Sequence, residues 1–321
     1  MTYKKKFTVL SGIIAFLAVV YILTIVFDPE RRSSRSAAYS WLEGGQIDRI
    51  SGIIIAKTDE TITLARNGGK WFVSHNGKDY PAQTARVEDL IAALSKRAPY
   101  PVRSSSASSH ERLSLTPGRA ARITVTAGAG PPLLNLLIGQ VDITGQNIYL
   151  RKQDQNEVRS GEDIFSAYAN SALTSWYNLR LFPETENSGI DAANVQRLTV
   201  YPPADSGENI SPQIFTRNGG AWVFNFELAN PDMGKVDSYV RNILYTSGDN
   251  FIDTITSSDS MFNNSRIVLE LGNGGIRTIR FGPPDENNGR MAVISGSDWV
   301  YSLPGWACQR LFAEPESFEA D

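Results

Sequence analysis

The sequence predicts an α+β protein: an N-terminal single transmembrane helix followed by two tandem repeated units, each of antiparallel hairpins packed with helices. Three observations carry this expectation. An uncharged apolar run extends from Phe7 to Phe27. Two stretches, "ARNGGKWFV" from Ala65 to Val73 and "TRNGGAWVF" from Thr216 to Phe224, share the core R-N-G-G-x-W. Further matched segments then follow each copy in the same order.

The apolar run comes first. As a helix rising about 1.5 Å per residue it is roughly 31 Å long, close to a ~30 Å hydrocarbon layer. Lys4, Lys5 and Lys6 precede it, so residues 1–6 are expected in the cytoplasm, although Arg31, Arg32 and Arg35 follow on the far side. A cleaved signal peptide has an apolar region of only about 7–15 residues. Here the run is longer, and the first small-residue site, Ser36 to Ala38, lies well beyond it. The expectation is an uncleaved anchor over 7–27 and a juxtamembrane spacer over 28–45. That places the chain in the inner (cytoplasmic) membrane as a single-pass protein, with its bulk in the periplasm or extracytoplasmic space.

A length of 321 residues suggests about two domains. The units are read as 46–184 and 185–321, with an acidic tail ending the second. In the first, "TITLAR" and "GKWFV" alternate in polarity around Asn67-Gly68, a type I′ turn signal. That turn sets Leu64 opposite Trp71 and Ile62 opposite Val73. With Asn218-Gly219 as turn, Phe215 falls opposite Trp222. Both tryptophans are therefore expected in a core rather than stacked on a ligand.

Helices follow each hairpin. Val87, Leu90, Ile91 and Leu94 recur at helical spacing, as do Val236, Tyr239, Val240, Ile243 and Leu244 behind Asp232 as N-cap. "ARITVTAG" from Ala121 answers "SRIVLELG" from Ser265, and "LLIG" ending at Gly139 answers "IRFG" ending at Gly282. Trp176-x-x-x-Arg180-Leu181-Phe182 answers Trp306-x-x-x-Arg310-Leu311-Phe312. The separation of matched pairs shrinks steadily along the chain, as in a duplicated module whose second copy has shorter loops. The segment "EDIFSAYANSALTSWYNL" is expected as one long helix, reduced to "LPGWACQ" in the second copy.

Chemistry is sparse. A net charge of -3 makes no electrostatic case for nucleic acid. Cys308 is the single cysteine, so no intramolecular disulfide forms, and it reads as packing rather than as a nucleophile. His75 and His110 show no metal-ligand spacing. "GAGPP" from Gly128 lacks the lysine of a phosphate loop, and "DENNG" from Asp285 does not complete a calcium loop; both read as turns. The pairs Glu88-Asp89 and Glu162-Asp163 are expected in first turns of helices. "EPESFEAD" reads as a solvated tail. The expectation is no catalytic residue, no cofactor and no metal.

An N-terminal anchor followed by tandem units with N-G-G-x-W hairpins resembles the domain of unknown function 4340 family, over Gln46 to Phe312 plus the anchor. The resemblance implies membrane-anchored, extracytoplasmic α+β repeat proteins, often encoded beside gliding-motility-type ABC transporter components, and it implies no site. The expected function is a non-enzymatic accessory or interaction protein, associated with an ABC-type transporter system and partnered by its permease components. The alternative is an extracytoplasmic module for glycan or peptide, with its site between the units.

Overall fold

Both repeated motifs form hairpins closed by glycine pairs, and the rest of each unit grows from them. The computed structural model describes Leu17 and residues 38–183, 190–203, 211–263 and 265–320. It divides into two units between Trp176 and Tyr177.

The first unit runs β1 (Ala38–Tyr39), α1 (Gly44–Ile47), β2 (Gly52–Ala56), β3 (Thr61–Asn67), β4 (Lys70–His75), β5 (Lys78–Pro81) and α2 (Thr84–Ser95). It continues with β6 (Ala98–Pro99), β7 (Val102–Ser104), α3 (Ser109–Arg112), β8 (Ala121–Thr126), β9 (Leu134–Val141), β10 (Asn147–Lys152), β11 (Val158–Glu162) and α4 (Phe165–Ala169). The second unit runs β12 (Val195–Tyr201), β13 (Gln213–Asn218), β14 (Ala221–Phe224), α5 (Met233–Leu244), β15 (Asn250–Phe251) and β16 (Ser265–Leu271). It ends with β17 (Ile276–Pro284), β18 (Arg290–Ile294), β19 (Val300–Leu303) and α6 (Gly305–Leu311).

This corrects the expected fold class. The structure is mostly β: a nine-stranded sheet, an eight-stranded sheet and the small pair β1–β6. Hairpins do not pack singly against helices. A strand edge presents unpaired N–H and C=O groups, and here β2 joins β3 directly to β8, while β12 joins β13 to β16. The meander that follows thereby extends the hairpin into one continuous antiparallel sheet. The paths β4-β3-β2-β8-β9-β10-β11-β7 and β14-β13-β12-β16-β17-β18-β19-β15 are the same, and β5 adds one strand to the first.

The anchor is corrected too. Among the described residues no helix is long and apolar enough to cross a membrane. Crossing needs about 20 apolar residues, whereas α2 and α5 have 12 each and are amphipathic. Residues 7–27, Leu17 apart, lie outside the described residues. The single-pass anchor, and the inner-membrane and periplasmic placement that rested on it, are not carried forward. Of the expected spacer, Ala38–Tyr39 pairs with Ala98–Pro99, and Trp41 and Leu42 are buried, their N–H groups donating to the Leu94 carbonyl. That segment belongs to the first unit.

Local physics explains the hairpin register. The turn residues are Gly68-Gly69 and Gly219-Gly220, with φ of 56° and 81°, and of 59° and 92°. A type I′ turn needs positive φ at both central positions, and glycine adopts it with less strain than asparagine. Moving the turn by one residue shifts every cross-strand partner by two and leaves the faces unchanged. Arg66 therefore pairs with Trp71 and Leu64 with Val73; Arg217 pairs with Trp222 and Phe215 with Phe224. The tryptophans remain core residues, 4% and 3% exposed. The Arg217 guanidinium lies 4.5 Å from the Trp222 ring centroid, and that of Arg66 lies 6.0 Å from Trp71. The repeated R-N-G-G-x-W is thus an arginine laid against its cross-strand tryptophan.

Rows of apolar partners make the cores: Leu64, Ile53, Val125 and Leu134 in one row, and Ile62, Ile55, Ile123 and Leu136 in the next. In the second unit Val200, Ile267, Ile279 and Ile294 align across four strands. Helix α2 packs against β4 and α5 against β14. They bury Val87, Leu90, Ile91 and Leu94, and Val236, Tyr239, Val240, Ile243 and Leu244. Asp232 caps α5, accepting from the Gly234 and Lys235 N–H groups at 2.8 and 3.2 Å. Glu88 and Asp89 lie past the first turn of α2, which begins at Thr84, and Glu162 ends β11.

Smaller clusters form around Leu113, Leu115, Leu137 and Val158, and around Phe262, Val293 and Val300. Gly139 on β9 is required by the first. A Cβ there would sit 2.3 Å from the Leu113 carbonyl oxygen.

Each unit closes with a short 3-10 turn, Leu173–Trp176 in the first and Pro315–Phe318 in the second. The Gln83 N–H donates to the Trp176 carbonyl and the Asp232 N–H to the Phe318 carbonyl, both at 2.8 Å. Each turn is thereby tied to the start of its unit's long helix. The counterpart of Trp176 is Phe318, not Trp306. The expected long helix is instead α4 followed by the 3-10 turn, and the expected solvated tail buries Phe318 to 2% exposure.

Candidate functional site

Because Phe318 fills the closing position, Trp306 is left outside the core. On α6 the buried side chains are Ala307, Cys308 and Leu311. That face turns Trp306, Gln309 and Arg310 outward, and Trp306 is 62% exposed. The Arg310 guanidinium lies 5.2 Å from its ring centroid.

Trp306 borders a cleft of about 790 Å³ whose lining includes Pro203, Asn287, Asn288, Gln309, Phe312 and Glu314. Asn287 and Asn288 come from the Asp285–Gly289 connection between β17 and β18. That connection is held by its own aspartate: Asp285 Oδ1 accepts from the Asn287 and Gly289 N–H groups, each at 2.8 Å. The Asp285 N–H donates to the Gly289 carbonyl at 2.8 Å. A Cβ on Gly305 would lie 2.3 Å from the Asn287 carbonyl oxygen, so only glycine lets the start of α6 approach this loop so closely.

Arg290, 7% exposed, forms the floor and donates from Nη1 to the Gly282 carbonyl at 3.0 Å. Cys308 is buried, and burial pushes its thiol up to about 11, although the Arg290 charge works in the other direction. A thiol of that kind is protonated at neutral pH and is a packing group rather than a nucleophile.

The first unit also has a cleft beside its last helix, but it opens on the β2–β3 connection rather than on the connection equivalent to Asp285–Gly289. Its volume is about 500 Å³ and its lining includes Lys57, Asp59, Glu60, Arg119, Ser166 and Asn170. Lys57 Nζ pairs with Glu60 Oε2 at 2.8 Å and donates to the Ser171 carbonyl at 3.0 Å. The two clefts differ in chemistry: paired charges in the first unit, an indole with amides in the second.

The other singled-out residues are structural. His75 ends β4, while His110 is buried in α3 with Nε2 3.0 Å from the Asn156 carbonyl oxygen. Among the described residues no three His, Cys, Asp or Glu side chains converge on a metal-sized site. "GAGPP" lies in the connection from β8 to β9, and the Gly128 N–H donates to Ser51 Oγ at 2.6 Å. The third N-G-G connects β16 to β17, with Gly274 at φ 81°.

Sequence reasoning missed Trp306 by matching it to buried Trp176. The available signal was the phase of Ala307, Cys308 and Leu311, which leaves no room for residue 306 on the inner face of so short a helix.

The fold defines a class: two antiparallel sheets of one strand order, each crossed by one long helix and each carrying a cleft beside its last helix. The family is shown by sequence. The profile described as "Domain of unknown function (DUF4340)" matches residues 71–259, and the chain belongs to that family. No curated protein and no solved structure matches it.

Proposed function

We propose that the protein works by binding, as a non-enzymatic accessory protein whose recognition site is the cleft beside Trp306. The observation that carries this reading is the 62% exposure of that indole at the edge of a concave, preformed site. Exposing so large an apolar ring forgoes about 1.5–3 kcal/mol of burial, and tryptophans at such positions are the usual anchors of recognition surfaces. The working partner in this reading is a component of an ABC-type transporter, the setting implied by the family resemblance. The ligand-binding expectation is kept in the form of this cleft, within the second unit alone.

The test compares tagged full-length protein with its Trp306→Ala variant, both captured from cell extract in mild detergent. Retained proteins and extracted small molecules are identified by mass spectrometry. The expected result is a transporter component retained by the parent, and loss in the variant of a protein or small molecule that the parent holds. Capture of no transporter component overturns the partner. Identical retention by parent and variant overturns the site.

A further inference from the structure

We propose that the cleft beside Trp306 binds carbohydrate: a neutral sugar unit lies on the exposed indole while the amides of Asn287, Asn288 and Gln309 hydrogen-bond its hydroxyls. This names the ligand class of the cleft and rests on the recognition reading above.

The chemistry of the lining selects this class. A pyranose ring has a flat face of C–H groups and a rim of hydroxyls. Its C–H groups carry slight positive charge and lie favourably on the negative face of an indole. Its rim requires groups that both donate and accept. A primary amide offers two donors and a carbonyl acceptor in one plane, so a single amide can bridge neighbouring hydroxyls. The cleft supplies three such amides around one exposed indole, all on exposed positions. None of the three is engaged in a hydrogen bond with another described side chain or carbonyl.

The charge pattern agrees. Arg310 is engaged with the Trp306 ring, and Arg290 is turned to the Gly282 carbonyl. Glu314 is the carboxylate on the rim. Such a lining does not concentrate charge of one sign, as a site for phosphate or for a polyanion would.

The site is also preorganised. Asp285 fixes the backbone that carries Asn287, Asn288 holds φ at 59°, and Gly305 seats the loop against α6. Weak amide–hydroxyl contacts yield affinity only when little ordering accompanies binding, and this loop is ordered beforehand. The cleft of the first unit offers a contrast. It presents Ser166 and Ala169 from α4 and Asn170 just after it and, among the described residues, no aromatic side chain, so it lacks the stacking platform.

Full-length protein is titrated with maltohexaose, cellohexaose, chitohexaose and xylohexaose, each to about 10 mM, a range that covers weak single-site affinities. Saturation-transfer NMR and tryptophan fluorescence are the readouts. At least one sugar should bind saturably. Trp306→Ala should weaken that binding by about tenfold or more, and Asn287→Ala and Gln309→Ala by about threefold each. Both polar positions are exposed, so melting temperatures should match the parent and separate binding from folding. Lack of saturable binding by all four sugars overturns the proposal, as does binding that Trp306→Ala leaves within about twofold. If the sugars fail while Trp306→Ala still loses a transporter component in the capture experiment, the cleft is a protein-docking surface. In that event the recognition reading stands and the carbohydrate assignment falls.

Discussion

The two units follow the same strand order yet end differently, and the difference separates the side chain that plugs a core from the one left in solvent. In the first, the chain passes through α4 and plugs the core with Trp176, which has no exposed surface. In the second it passes through α6, leaves Trp306 outside, and plugs the equivalent position with Phe318. Both plugs make the same backbone contact to the start of the long helix. A sheet dictates where a hole must be filled but not which residue fills it. With Phe318 in that role, the tryptophan of the second unit is left outside the core.

The largest expected effect separates plug from platform. Trp176→Ala should lose about 3–5 kcal/mol, the usual cost of truncating a buried large aromatic, with Phe318→Ala only somewhat smaller. Trp306→Ala should change stability by less than about 0.5 kcal/mol. Thermal melts would register the first as a fall of roughly 6 °C or more and the last as about a degree. Equal falls for Trp176→Ala and Trp306→Ala would break the comparison at its centre.

A second contrast concerns the matched glycines. Alanine at Gly139 would force its Cβ to within 2.3 Å of a backbone oxygen, whereas at Gly282 the nearest atom is the flexible Met261 Cε at 3.0 Å. Overpacking against backbone costs about 1–3 kcal/mol, so urea unfolding should show Gly139→Ala clearly destabilised. Gly282→Ala should stay within about 1 kcal/mol of the parent, since a methionine end can move aside. Comparable losses would mean that both glycines answer to backbone contact and that the two clusters are closed alike.

The smallest effect is read at Cys308. Its thiol sits at about 11 because of burial. At pH 8 a thiol reagent should label less than about a tenth of the native protein, and all of it after denaturation. An acid whose folded pKa lies above its unfolded value keeps its proton only in the folded state across that interval. Its contribution to stability is therefore full below about 9 and is lost as pH rises from there toward about 11. Rapid native labelling at pH 8 would place the inner face of α6 in solvent, and with it would remove the reason for Trp306 facing outward.

Much of the frame was legible. Asp232 as a cap and the buried faces of α2 and α5 are short-range patterns, set by spacings of three and four residues, and they were read directly. The segments "ARITVTAG" and "SRIVLELG" became β8 and β16, which hold the same place in their sheets. The hairpin register was misread because Asn-Gly and Gly-Gly compete for adjacent turn positions. Only the φ preference of two successive glycines decides between them. The long helix expected after Gly161 was misread because its first residue, Glu162, is held by pairing with Asn147 on β10, a partner that helical periodicity does not reveal.

By itself, then, the sequence determined the elements whose causes are local: the alternation of the strands, the glycine turns, the helix faces and the cap. It also carried the ordered correspondence of its two halves. Only the tertiary structure decided that the hairpins extend into continuous sheets, that Phe318 rather than Trp306 matches Trp176, and that a cleft opens beside α6. Those outcomes are competitions between segments distant in the chain for one strand edge or one hole in a core. The winner depends on which side chain reaches the hole with its backbone groups also paired, and that is a property of the assembled fold.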